Sequence, residues 1–415
     1  MRSSIAGQEH RREGESIMRV LFTSWAWGSH YFPMVPLGWA LRAAGHEVRV
    51  AGPPGFGPVI TQSALTAVSV GRDLDFAALV RERLGDLPVV SRQSPAWRNG
   101  AATPEGRAAQ MALLGLSPFV AMAENMIDDL VDFAEAWQPD LVVHEPTTYA
   151  GPLVAAALGV PSARYLWGPD YTYAVRDLEA QALAPLCERL GVDRVDTMGT
   201  VTVDPCPPGV QVSADYRRLG VRYVPYNGPG VMPRWLLDPP ERTRICVTWG
   251  TSIPALGDHM FLAPKVIEAV ADLDAEIVVA VSAAHRELLG ELPPQVRLVE
   301  SLPLHLLLPT CDLVIAQGGA GTTMTALASG APLLIVAHLP DQVFNARQLA
   351  ASGAGVALLR EDATVPAIAD QVRRMLADPS YRRVAGQLQQ QIMDQPTPAR
   401  LVEDLVGLVA EAPVR

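Results

Sequence analysis

Strand-like and helix-like runs alternate twice along this chain, and a proline-rich break separates the two series. In the first series RVLFTSW is an apolar strand, Pro33 to Ala44 a helix with Leu37 and Leu41 on one face, and HEVRVAG a second strand. PDLVVHE, an alanine-rich helix near 150–158 and the strand SARYLW continue it. The second series carries the strands RICVTWG, EIVVAV, QVRLVE, CDLVIA and PLLIVA. Regular alternation of this kind implies parallel pairing with right-handed crossovers, which is an α/β architecture. The break, VPYNGPGVMPRWLLDPPERT, holds Pro225, Pro229, Pro233, Pro239 and Pro240, which forbid long regular structure. The expected division is therefore 18–225, a linker 226–242, 243–395, and a final amphipathic helix within 396–415.

The stretch IAQGGAGTT, Ile315 to Thr323, joins the strand CDLVIA to the helical run TALASG through Gly318, Gly319 and Gly321. Glycines let backbone approach an anion closely, and the free N–H groups of the following helix start carry partial positive charge. The loop has neither the GxxxxGK[ST] lysine of a Walker loop nor the spacing of a dinucleotide fingerprint. A tight turn whose glycines serve only packing stays open as an alternative. The strand PLLIVA runs next into Asp341 and Gln342. At the carboxyl ends of strands in one open sheet, both segments would face the same crevice. A carboxylate beside an amide suits adjacent sugar hydroxyls, although the pair would equally cap the helix that follows.

The run 300–355, ESLPLHLLLPTCDLVIAQGGAGTTMTALASGAPLLIVAHLPDQVFNARQLAASGAG, resembles the donor-binding half of family 1 glycosyltransferases, in particular bacterial enzymes that attach deoxysugars to polyketides. MRVLFTSWAWGSHYFPMVPLGWALRAAGHEVRVAG (18–52) and LVVHEPTTYAGPLVAAALGVP (141–161) are similar to the acceptor-binding half of the same group. The resemblance spans nearly everything from Met18 onward and implies two Rossmann-like domains facing across a cleft, the GT-B arrangement, with the last helix crossing back to the first domain. It implies an inverting transferase that takes a sugar from a nucleotide diphosphate, dTDP being expected, to a hydrophobic aglycone. The irregular, charged segment from about 71 to 120 is expected to shape the acceptor side.

The resemblance makes His30 the general base, and an imidazole titrating near neutrality suits removal of an acceptor proton. Glu145, after another strand, is the first candidate to hold its second ring nitrogen, with Asp170 a weaker choice; for Glu145 a carboxylate serving the helix N-terminus before Pro146 stays open as the alternative. His144 alternates to the opposite face. Trp25, Trp27, Tyr31, Phe32 and Trp167 are candidates for an aglycone pocket, although aromatics beside strands also pack into cores. On the donor side Gly250, Thr251 and Ser252 match a diphosphate-approaching loop, Pro303 and Leu304 a nucleobase segment, and Gly318, Gly319, Gly321 and Thr322 the phosphate loop. Gln317 departs from the family, which usually has a histidine there; glutamine keeps an N–H donor but cannot become cationic.

Length and charge fit. A chain of 415 residues holds two cores, and a net charge of -11 opposes nonspecific attraction to nucleic acid or anionic membrane. Cys187, Cys206, Cys246 and Cys311 have no metal or disulfide spacing and read as buried thiols of a cytoplasmic protein. No resident metal or cofactor is expected, and no sequence run is long and apolar enough for a bilayer. The polar segment 1–17 reads as a disordered extension or an upstream start. A sugar-nucleotide epimerase and a noncatalytic nucleotide-sugar-binding or auxiliary protein stay open, as do the sugar, the aglycone, O- against C-linkage and a homodimer.

Overall fold

The computed structural model describes residues 17–84, 91, 94, 105–251 and 257–412. Ser252 and, apart from Ile17, the segment 1–17 lie outside them. Two sheets form, and all their strand pairs are parallel.

The first has seven strands, β1 (Arg19–Thr23), β2 (Glu47–Gly52), β3 (Ala67–Ser69), β4 (Leu141–His144), β5 (Ser162–Tyr165), β6 (Val201–Asp204) and β7 (Arg218–Gly220), in the order β3-β2-β1-β4-β5-β6-β7. The second has six, β8 (Arg244–Thr248), β9 (Glu276–Val281), β10 (Val296–Glu300), β11 (Leu313–Ala316), β12 (Leu333–Ala337) and β13 (Gly355–Leu359), ordered β10-β9-β8-β11-β12-β13. Strand order reverses between β1 and β4 in one sheet and between β8 and β11 in the other. A crevice opens at the carboxyl ends of strands at such a reversal, because the crossovers leave to opposite faces. His30 and Glu145 follow β1 and β4; Gly250 and Gln317 follow β8 and β11. Topology alone therefore sends all four to crevices.

Both faces of each sheet are covered by apolar helices, giving four buried clusters. The helix Pro398–Glu411 begins at a Thr397 side-chain cap and buries Leu401, Val402, Leu405 and Leu408 against Val20, Leu37 and Leu41 of the first sheet's layer. The preceding helix, Ser380–Asp394, buries Ala385, Leu388 and Ile392 in the second domain's core. The chain thus crosses back between 394 and 398. All four cysteines are buried and free.

Of the segment read as irregular from about 71 to 120, residues 85–90, 92–93 and 95–104 lie outside the described residues, and the described parts on either side carry helices. A helix spans Phe76–Leu84, and another of 31 residues, Arg107–Trp137, packs its Met122, Met126, Ile127 and Leu130 over the first sheet. Among the described residues no helix is long and apolar enough to cross a membrane.

Candidate active site

β1 ends at Thr23 and the chain turns through Trp25 and Trp27 into the short helix Gly28–Tyr31, which presents His30 at the cleft with 17% of its side chain exposed. Its Nδ1 lies 3.3 Å from Glu145 Oε2 and 3.2 Å from Thr147 Oγ1. Glu145 is fully buried. The Thr147 amide donates to Glu145 Oε2 at 2.9 Å, and the Thr147 and Thr148 hydroxyls also donate to its carboxylate. Burial by itself would raise this carboxyl. His30, the Thr148 hydroxyl and the Thr147 amide outweigh it and hold the group below its ordinary value of 4.5, so it is an anion at neutral pH. A carboxylate accepts only, so Nδ1 must carry the imidazole proton. Nε2 is left as the lone pair that faces the cleft.

Thr147 was not singled out from sequence. It accepts from Trp25 Nε1 at 2.9 Å, and so ties the turn after β1 to the turn after β4. A threonine after Glu-Pro carries no signal of that role. His144 is buried to 1%, and burial pushes it down to about 4, which makes it a neutral structural residue.

The aromatic candidates divide. Trp167 is half-buried and stacks on His30, ring centroids 4.0 Å apart at 17°. Trp27 is half-buried and stacks on Trp25. Trp25 and Tyr31 are corrections: they are 1% and 0% exposed, which leaves no surface for a ligand. Trp25 meets His30 edge-on at 5.5 Å, and Tyr31 turns into the core, where its hydroxyl meets Ser63 Oγ at 2.6 Å. Phe32 packs on Tyr226 of the interdomain segment. Two residues missed from sequence, Phe76 and Phe119, complete the aromatic group beside Trp25, with centroids 4.5 and 5.8 Å from it.

Asp170 is not a partner of His30. It pairs with the buried Arg164, accepts from Tyr216 at 2.8 Å, from Thr172 at 3.1 Å and from the Tyr173 amide at 3.2 Å. Nearby Glu179, fully buried, accepts from Thr197 at 2.6 Å and Tyr149 at 3.0 Å. Burial, partly offset by Thr197, Arg164 and Tyr149, pushes its carboxyl from 4.5 up to about 7. The folded protein therefore holds this proton more tightly than the unfolded chain. Stability from this group is full below about pH 4.5 and declines as pH rises toward 7, by on the order of 3 kcal/mol. Chemical denaturation of wild type and Glu179→Gln at pH 5 and 8 checks this: the difference between the two proteins should shift by that order, and a pH-independent difference would contradict it.

Across the cleft, Gly319 caps the helix Ala320–Ala328, whose first turn carries Gly321 and Thr322. A Cβ on Gly321 would meet nothing within 4 Å, so the helix start is open on that side. Gln317 is 4% exposed, and its Nε2 lies 2.7 Å from where a Cβ on Gly250 would stand and 3.0 Å from one on Gly319. Gly250, at φ +65°, is therefore required twice, by its backbone and by the amide against it. Thr251 is exposed beyond it. Pro303 is buried under Gly230 of the interdomain segment, and Leu304 opens a short helix. Gln342 uses its Oε1 on the amides of His338 and Leu339, 3.3 and 3.2 Å away, so only its NH2 remains to serve a ligand. Asp341 is raised by burial, an effect its neighbouring amides and the facing His30 partly offset. The second domain's Asp341 is thus within electrostatic reach of the first domain's histidine.

The comparisons with known proteins agree over the whole molecule. Residues 39–250 match the erythromycin biosynthesis protein CIII-like N-terminal domain, and residues 264–408 its C-terminal domain. The chain belongs to this glycosyltransferase family. It is 40% identical to the 10-deoxymethynolide desosaminyltransferase of Streptomyces venezuelae, covering 95% of this chain and 98% of that one. It is 39% identical to the tylactone mycaminosyltransferase of Streptomyces fradiae over 97% and 94%. Among solved structures, the glycosyltransferase VinC in complex with dTDP superposes with a TM-score of 0.80 at 35% identity, covering 95% of this chain and 100% of VinC. The transferase thus has the GT-B fold, and the epimerase and noncatalytic alternatives are set aside.

Proposed function

We propose that this transferase moves a deoxysugar from a dTDP-linked donor to a hydrophobic polyketide aglycone by an inverting single displacement. The observation that carries the proposal is the pairing of His30 with Glu145 directly across from the glycine loop, the helix Gly28–Tyr31 being in contact with the helix Ala320–Ala328. His30 Nε2 takes the acceptor proton as the acceptor oxygen attacks the anomeric carbon. The leaving dTDP departs on the opposite face of the sugar, its charge met by the N–H groups at Gly319 to Thr322, the helix dipole and the Gln317 amide. The transferases named above, desosaminyl and mycaminosyl, and the dTDP bound to VinC support the donor and acceptor classes. Trp27, Trp167, Phe76 and Phe119 supply the apolar wall for the aglycone.

Diphosphate stabilisation is assigned to backbone and the Gln317 amide, without a resident metal or cofactor; turnover surviving excess chelator is the expected result. Acceptor-dependent release of dTDP tests the whole proposal. Release should require the aglycone, and dTDP should bind more tightly than UDP by calorimetry.

Gln317→Ala is expected to weaken dTDP binding about tenfold, the worth of one hydrogen bond to a charged group, with no change in acceptor KM. Calorimetric titration decides it: unchanged dTDP affinity would remove Gln317 from the donor site.

A further inference from the structure

The loop that follows β5 is continuous between the two catalytic halves. Trp167 stacks on His30, and the next residue, Gly168, lies against the first residue of the phosphate helix, where an added Cβ would come within 3.1 Å of Ala320 Cβ and 3.7 Å of Met324 Cγ. Tyr171, at the far end, meets Phe344 of the second domain edge-on at 5.6 Å. The loop's own base is rigid. Asp170, 3% exposed, is held by Arg164, Tyr216, Thr172 and the Tyr173 amide, and its N–H donates to Gln211 Oε1 at 2.8 Å. Gln211 Nε2 bonds Asp204 at 3.0 Å and reaches the Gly168 carbonyl at 3.5 Å.

We propose that Trp167 and Gly168 are positioning residues, a rigid spacer through which seating of the donor domain on Ala320 aligns the His30 ring for the transfer. Glu145 and Thr147 fix His30 at Nδ1 but leave the ring free to tilt about that anchor; the stacked indole removes the tilt and so fixes where Nε2 points. Because Gly168 leaves little more than the space of a methyl group between the loop and the phosphate helix, the distance from Nε2 to the donor is set by one short, buried-anchored loop. Glycine permits that approach; a Cβ here would be tight against Ala320 Cβ, and a branched side chain reaches further and is expected to push the domains apart. A displacement of about 1 Å between reacting groups costs on the order of a hundredfold in rate.

The inference rests on His30 as the base, and the test separates the two. In Gly168→Val, kcat at saturating donor and acceptor should fall at least tenfold with the dTDP Kd within threefold of wild type. Adding Ala320→Gly to that chain should recover at least threefold in kcat, because it removes the carbon that the valine meets. Trp167→Ala should likewise lower kcat, and Trp167→Phe, which keeps a stacking face, should recover at least threefold of the kcat that Trp167→Ala loses. Should Gly168→Val not fold, the Trp167 pair decides alone. A Trp167→Ala variant with a raised acceptor KM and wild-type kcat would make the loop an aglycone wall only and overturn the inference. So would a Gly168→Val variant with wild-type kcat, or one that Ala320→Gly fails to improve. With His30→Ala inactive, either result removes the spacer alone; a fully active His30→Ala removes the base and the spacer together.

Discussion

His30→Ala is expected to lower kcat by about a thousandfold while leaving the dTDP Kd within threefold, because proton removal by a positioned base contributes on the order of 10² to 10⁴. The proposed donor contacts lie in the second domain, on Gln317 and the helix Ala320–Ala328, so on this account truncating a first-domain imidazole removes a group that acts during transfer and spares nucleotide binding. Stopped assays of glycoside formation with calorimetry on the same preparation separate the two effects. A His30→Ala protein with normal turnover would show that the acceptor loses its proton elsewhere; one that fails to bind dTDP would show that the histidine serves the donor site instead.

Glu145→Gln is the second large effect, a fall in kcat of about a hundredfold or more. Glutamine keeps the shape, but it takes away the charge that stabilises the imidazolium formed as the proton transfers. It also presents an NH2 where the Thr147 amide and the Thr147 and Thr148 hydroxyls all donate, so one donor loses its acceptor in a fully buried place. His30 and Glu145 act as a unit. The double variant His30→Ala/Glu145→Gln should therefore be no slower than His30→Ala alone, whereas independent roles would make the two losses multiply. Measuring kcat for the four proteins closes that cycle.

What could be read from the chain follows from how local each signal is. His30 and Glu145 sit directly after apolar strands, and strand ends at a reversal of sheet order face the crevice, so position along the sequence made them candidates, while the role given to His30 came from the family resemblance. The strand–loop–helix form of the glycine loop was equally legible, since Gly318, Gly319 and Gly321 lie between β11 and the helix Ala320–Ala328 or at its start. Thr147 was not, because its value lies in contacts to Trp25 and His30, 122 and 117 positions away. Tyr31 and Trp25 misled for a related reason. Both adjoin the histidine in sequence, but Tyr31 turns to Ser63 and the core, and Trp25 is covered by Trp27, Phe76 and Phe119. The strands β3, β6, β7 and β13 escaped notice since AVS, VTVD and RLG are too short or polar to show a period, and GVALL merges with the preceding turn. Arg164 lies inside SARYLW, which reads as apolar; its pairing with Asp170, with the centre of the Tyr216 ring 5.3 Å from its guanidinium carbon, explains a charge at 0% exposure. Gln342 carries a side chain equally suited to a sugar and to its own helix terminus, and the fold uses its oxygen for the terminus.

The most direct test is the configuration at the anomeric carbon of the product, read by NMR after the transferase has joined a dTDP-deoxysugar of known anomer to a macrolactone aglycone. Deprotonation by His30 with departure of dTDP from the opposite face predicts complete inversion. Retention of configuration would require a covalent or same-face route and would contradict the single displacement built on the His30–Glu145 pair.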